Sequence, residues 1–179
     1  SGYFTLFNIR YAQYLRTSLD FRYFRMFDQN NTLAVRGLVG VGKPYGNADV
    51  LPFEKGFFAG GANGMRGWNL KNLGPGSFSD PEGKYPERMG DLQLEGNVEF
   101  RFPMYGFLKG GLFVDVGNIW LLSDIPTYTG GKFDPAAFVS ELAVDAGLGF
   151  RFDFDFFVFR VDAALPLRDP SKPLSERWV

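Results

Sequence analysis

Apolar and polar residues alternate with period two through most of the chain. The clearest stretch is GDLQLEGNVEFRFP, residues 90–103. There Leu92, Leu94, Gly96, Val98, Phe100 and Phe102 fall on one face, and Gln93, Glu95, Asn97, Glu99 and Arg101 on the other. Successive side chains of a strand point to opposite faces, so this pattern predicts a strand with one apolar and one charged side. Five further segments repeat it. Residues 14–24 set Leu15, Thr17, Leu19 and Phe21 against Arg16, Ser18, Asp20 and Arg22; residues 32–42 set Leu33, Val35, Val39 and Val41 against Ala34, Arg36, Gly40 and Gly42. Residues 107–120 set Leu108, Leu112, Val114 and Val116 against Lys109, Phe113, Asp115 and Gly117. Residues 141–153 set Leu142, Val144, Ala146, Leu148, Phe150 and Phe152 against Glu141, Asp145, Arg151 and Asp153. Residues 157–167 set Phe157, Phe159, Val161, Ala163 and Leu165 against Arg160, Asp162 and small residues. Residues 1–10 are apolar but irregular and read as loop or partial strand.

The connections alternate too. Asp28–Asn31, Met104–Gly106 and Phe154–Phe156 read as tight turns, whereas residues 43–89 and 121–139 are long. A soluble sandwich or lipocalin-like barrel shares the alternation, since one face meets the core and the other meets water. Length separates the two readings. Soluble strands average about five or six residues, and these run about 10–14. The apolar face is nearly pure Leu, Val, Phe, Ala and Gly, as a lipid-facing band requires. Aromatic residues gather near strand ends, at Tyr11, Tyr14, Phe24, Phe27, Tyr105, Trp120, Phe154 and Phe156. Short turns, long opposite loops and aromatic girdles are the pattern of a transmembrane antiparallel β-barrel. Six or seven strands are too few to close one, because about eight is the smallest common number. The 179 residues therefore read as a fragment of a larger barrel.

Composition adjusts this picture in a few places. Aromatics make up 18% of the chain, with 23 glycines, which suits strands, bends and close approaches. Cysteine and histidine are both absent, so there is no thiolate or imidazole to bind a metal and no histidine base. No metal, cofactor or catalytic residue is expected. Net charge is −1 and no basic run stands out, which excludes nucleic acid as a partner. No run reaches the roughly 18 apolar residues of a membrane helix. Glu95 and Glu99 share a strand face about 13 Å apart at strand rise, too far for a paired-carboxylate hydrolase.

Two motifs carry the remaining information. FFAGGANGMRGW, residues 57–68, combines glycine freedom, aromatic bulk and a lone arginine inside the longest loop. Within it, Gly60, Gly61, Gly64, Met65, Arg66, Gly67 and Trp68 fit the form G-G-x-x-x-h-R-G-aromatic. Downstream, Phe113, Asp115 and Gly117 fit F-x-D-x-G on a predicted strand. In this order the two motifs resemble the bacterial outer-membrane barrel-assembly superfamily (BamA/TamA-like, also called the bacterial surface antigen family). Met65 and Trp68 depart from that family's usual Val and Phe or Tyr but keep the apolar and aromatic character. The resemblance spans residues 11–170.

The resemblance implies the C-terminal portion of a barrel of about sixteen strands, for residues 1–179. It implies that residues 43–89 form a long extracellular loop folding into the lumen, where Arg66 pairs with Asp115. It implies a non-enzymatic factor that inserts client β-barrel proteins into the outer membrane, through a weak seam that offers an edge strand to the client. Partners would be outer-membrane lipids, client outer-membrane proteins and accessory assembly subunits. A two-partner-type secretion pore of the same superfamily and a passive porin are the alternatives.

Overall fold

The computed structural model describes residues 5–7, 9–154 and 156–178. Two short strands, β1 (Thr5–Leu6) and β2 (Ile9–Arg10), pair with each other. Six long strands follow: β3 (Gln13–Met26), β4 (Thr32–Tyr45), β5 (Leu92–Tyr105), β6 (Leu108–Trp120), β7 (Ala143–Asp153) and β8 (Val158–Arg168). They form one antiparallel sheet in sequence order. The strands predicted at 14–24, 32–42, 90–103, 107–120 and 157–167 each begin within two residues of an observed one. The strand expected from residue 141 starts at Ala143, because Phe138–Glu141 is a 3-10 turn. Glu141 is accordingly not an inward strand charge. It sits in that turn and accepts a hydrogen bond from Trp120 Nε1 at 2.7 Å. The turn expected at Phe154–Phe156 includes Asp155, which lies outside the described residues.

Register shifts interrupt the ladder near Pro103, between β5 and β6, and near Pro166, between β7 and β8. Proline offers no N–H to a ladder, so it sits at bulges or edges. Elsewhere the register is continuous, which keeps the alternating apolar side chains of the six strands on one face. That face has no protein cover among the described residues: Leu19 is 75% exposed and Leu165 72%. The opposite, charged face is covered over β4 to β7, while β3 stays largely exposed there. The segment between β4 and β5 folds against it, and the buried apolar cluster consists of Phe57, Ala59, Met65 and Leu73 from that segment with Ile119 and Ala143 from the strand ends. This is the reverse of a soluble sandwich. The core lies between a loop and the polar side of the sheet, while the apolar side faces outward as in a membrane barrel.

Candidate functional site

The long segment crosses the polar face as a folded hairpin. Phe57 and Gly90 exchange backbone hydrogen bonds of 2.9 and 2.8 Å, Ala59 bridges Leu73, and Gly61 N–H donates to Trp68 O at 2.8 Å. Gly60 and Gly61 have φ of 105° and 89°, a left-handed backbone that glycine alone adopts without strain. A Cβ on Gly60 would also collide with the Asn69 carbonyl. Met65 is fully buried in the apolar cluster and Trp68 packs against it.

This anchoring carries Arg66 onto the strand wall. Its side chain is 7% exposed and Asp115 is completely buried. The guanidinium donates from Nε to Asp115 Oδ2 at 2.8 Å and from Nη2 to Asp115 Oδ1 at 2.9 Å. A planar fork of donors suits this two-point grip, which lysine could not reproduce. A third bond runs from Nη1 to Glu99 Oε2 at 2.8 Å. The guanidinium also lies 3.4 Å from the centroid of the Phe113 ring, a stacked cation–π contact. A Cβ on Gly147, directly opposite Phe113 on β7, would strike that ring. Phe113 and Asp115 of the F-x-D-x-G motif thus serve as a floor and an acceptor for one cation.

The motif glycines around Arg66 have their own reasons. Gly67 N–H donates to Asp145 Oδ2 at 2.9 Å, and a Cβ there would stand 2.7 Å from the Asp145 Cβ. A Cβ on Gly64 would stand 2.9 Å from a Glu95 carboxylate oxygen. Gly117 lies against the backbone of Leu94 and Glu95, where a Cβ has no room.

Sequence reasoning missed several residues that hold the loop. Gln93 donates to Phe58 O at 2.9 Å, Asn97 to Gly64 O at 2.9 Å, Arg36 to Asn63 O at 2.8 Å and Arg160 to Ala62 O at 2.6 Å. Loop carbonyls that lie outside a ladder need donors from elsewhere, and here strand side chains from β4, β5 and β8 supply them. The outer part of the loop is tied differently. Burial works against charge on Asp80, yet the Tyr85 and Lys84 N–H groups and the Arg88 guanidinium outweigh it and hold this carboxyl below its ordinary pKa. The carboxylates of the polar face meet arginines, Lys109, the Gln93 amide or backbone N–H groups, and Asp145 stands directly opposite Asp115. Among the described residues none is grouped to hold a metal ion. The arrangement is a clamp: it fixes a loop backbone and one cation on a strand wall.

The chain matches the Omp85 superfamily domain over residues 1–178. It is 28% identical over 173 residues to the outer membrane protein assembly factor BamA of Neisseria meningitidis serogroup B, an alignment covering 82% of this chain and 21% of that protein. The chain thus spans about a fifth of that curated relative. Its fold matches the crystal structure of BamA from Haemophilus ducreyi lacking POTRA domains 1–3, with a TM-score of 0.67 at 16% identity. That match covers 87% of this chain and 32% of the other. The unclosed sheet, with its apolar outer face and loop-covered polar face, is therefore part of a transmembrane antiparallel barrel in the outer membrane of a Gram-negative bacterium. The chain belongs to the Omp85 superfamily.

Proposed function

We propose that this chain is the C-terminal portion of the barrel of an outer-membrane protein assembly factor, one that promotes folding and insertion of client β-barrel proteins. In this reading residues 43–89 form an extracellular loop that enters the lumen. Gly60, Gly61, Gly64, Met65, Arg66, Gly67 and Trp68 are its working motif, and Phe113, Asp115 and Gly117 form its seat. Arg66 supplies the key contact. It ties the loop to β5 and β6 through two buried carboxylates, so the loop braces the wall from inside and holds its register. The function itself is non-enzymatic. Partners are outer-membrane lipids on the apolar face, client barrels at an available strand edge, and accessory subunits. Edge pairing gives affinity through main-chain hydrogen bonds without chemistry.

The observation that carries this reading is the buried Arg66–Asp115 pair at 2.8 Å, on a chain 28% identical to an assembly factor. A passive porin fits less well, because the loop occupies the face that would line its channel. A two-partner-type secretion pore shares the fold and both motifs and is the second reading; a TamA-like paralogue falls within the first. The test uses full-length protein reconstituted in liposomes with an unfolded reporter barrel. The expected result is faster reporter insertion with wild type than with empty liposomes, and loss of most of that gain with Arg66→Ala. Ion conductance without any gain in insertion would overturn the proposal in favour of a pore.

A further inference from the structure

We propose that Asp145 of β7 is a positioning residue of the loop clamp and works as a neutral carboxylic acid, its proton lying between its own carboxyl group and that of Asp115. The two residues face each other directly across β6 and β7, and both are completely buried. Their carboxyl groups lie within hydrogen-bonding reach of one another. Like charges directly opposite on a ladder repel. Two carboxylates sharing one buried site do not both stay ionised, so one of them holds a proton.

Hydrogen bonding decides which one. Asp115 accepts from Arg66 Nε, Arg66 Nη2, the Arg66 backbone N–H and Asn97 Nδ2. Each such donor favours the charged form of the group it reaches. Asp145 accepts from the Gly67 N–H, on Oδ2. Its Oδ1 is buried and has no hydrogen-bond partner among the described residues. The Arg66 guanidinium, the cation beside it, directs its bonds to Asp115 and Glu99. On β8 the residue opposite Asp145 is Pro166, which brings no charge. A buried carboxylate with so little to answer its charge neutralises instead. The charge therefore rests on Asp115 and the proton on Asp145.

A neutral acid has a donor that a carboxylate lacks. Its O–H donates to Asp115 while its other oxygen accepts from Gly67. Asp145 thus ties the loop backbone to the anion that holds the preceding side chain. Consecutive loop residues, Arg66 and Gly67, are seated on facing acids of adjacent strands. One acid holds the cation and the other holds the peptide. An ionised Asp145 would set a second anion against Asp115 and push the two sides of this seat apart. The assignment goes beyond the assembly reading and holds equally for a secretion pore.

The test combines infrared spectroscopy with limited proteolysis, on full-length protein in detergent at neutral pH, for wild type, Asp145→Asn and Asp145→Ala. The amide of Asp145→Asn keeps an acceptor for Gly67 and offers Asp115 a donor in the same shape. The spectrum of wild type minus Asp145→Asn should show a neutral-acid carbonyl stretch that shifts in heavy water. Cleavage within residues 57–68 should be at most about twofold faster than wild type in Asp145→Asn and about tenfold faster in Asp145→Ala, which loses both bonds. A carboxylate band in place of the acid band overturns the proposal. So does Asp145→Asn as damaging as Asp145→Ala, because the negative charge would then be what holds the loop. Wild-type protection that is stronger in sodium than in choline also overturns it, in favour of a bound cation at Oδ1. Should Asp145→Asn fail to fold, as read from its heat-modified gel mobility, wild type with isotope-labelled aspartate carboxyl groups should still show a labelled neutral-acid band. Absence of that band overturns the proposal. None of these measurements reads insertion, so their failure leaves the assembly reading intact.

Discussion

The two long connections of this chain solve the same problem in opposite ways. The one between β4 and β5 lies on the charged face and is held by ions. The one between β6 and β7 stays at the strand ends and is held by rings and by the Arg168 and Arg177 guanidinium groups, which donate to the carbonyls of Val139, Ser140 and Leu142. There Trp120 meets Phe133 edge-on at 5.7 Å, Phe133 meets Phe138 at 5.9 Å, and Trp120 Nε1 reaches Glu141. The two loops touch through Asn118, which donates to both Gly76 O and Glu141 O, and through Phe78 and Tyr128 at 5.0 Å. The difference follows from surroundings. A loop lying on a wall of charged side chains must complement those charges. A loop above the wall buries its own rings and borrows donors from Trp120, Arg168 and Arg177 for its carboxylate and carbonyls.

Removing the central ion should therefore separate the two loops most strongly. Arg66→Ala leaves Asp115 buried without its cation, while Glu99 keeps Arg101 and Arg151, and breaking a buried pair costs about 3–5 kcal/mol. The expected outcome is a large drop in the denaturant midpoint of the full-length protein in detergent, together with protease cleavage within residues 57–68. Arg66→Lys keeps charge but loses the fork and should recover only part of the loss. A shift near the ~1 kcal/mol of an exposed pair would mean that the apolar cluster, not the ion, holds the loop. Gly67→Ala comes next. Its Cβ would press on the Asp145 Cβ from 2.7 Å, and such overpacking costs about 1–3 kcal/mol. The second loop should keep its protease resistance in both variants.

Much of this was legible because period two is a local signal. All six strands could be read from alternation, since one face meets an apolar phase and the other does not. Arg66 and Asp115 were named from two motifs, and the structure brings them together. Glu99 and Asp145 could be placed on the inward face but not beside Arg66, because that takes register. Glu99 lies opposite Phe113, and Asp115 lies opposite Asp145, which puts both acids next to the motif on neighbouring strands. No spacing within a single strand encodes that. Glu141 failed for a different reason. Alternation continued past the true start of β7, while Asp134 O accepts from the Phe138 N–H and winds the chain into a turn. The Trp120 indole then takes up the carboxylate.

The second loop has its own weak point. Trp120→Phe keeps the ring against Phe133 but removes the donor to the buried Glu141 carboxylate. An acceptor left unpaired in this way costs about 1–3 kcal/mol, and the retained ring places the expectation near the lower end. The loss should appear as faster proteolysis of residues 121–142 with residues 57–68 still protected. Exposure of both loops together would show that Asn118 couples them into one unit.

The smallest effect should come from Arg16, which sharpens the comparison most. Arg16 resembles Arg66 in form: its guanidinium lies 4.1 Å from the Phe57 ring centroid, and its Nε donates to a loop carbonyl, Lys55 O, at 2.9 Å. It differs in surroundings, since Arg16 is exposed and Arg66 is buried between two carboxylates. Water competes for an exposed cation, so stacking and one hydrogen bond are worth only about 0.5–1 kcal/mol there. Arg16→Ala should therefore lower the denaturant midpoint slightly and leave residues 57–68 protected, with Arg16→Gln nearly silent. Losses as large as those of Arg66→Ala would reverse the ranking of the two arginines. Stacking on aromatic rings would then be what fastens the loop, and burial between carboxylates would be incidental.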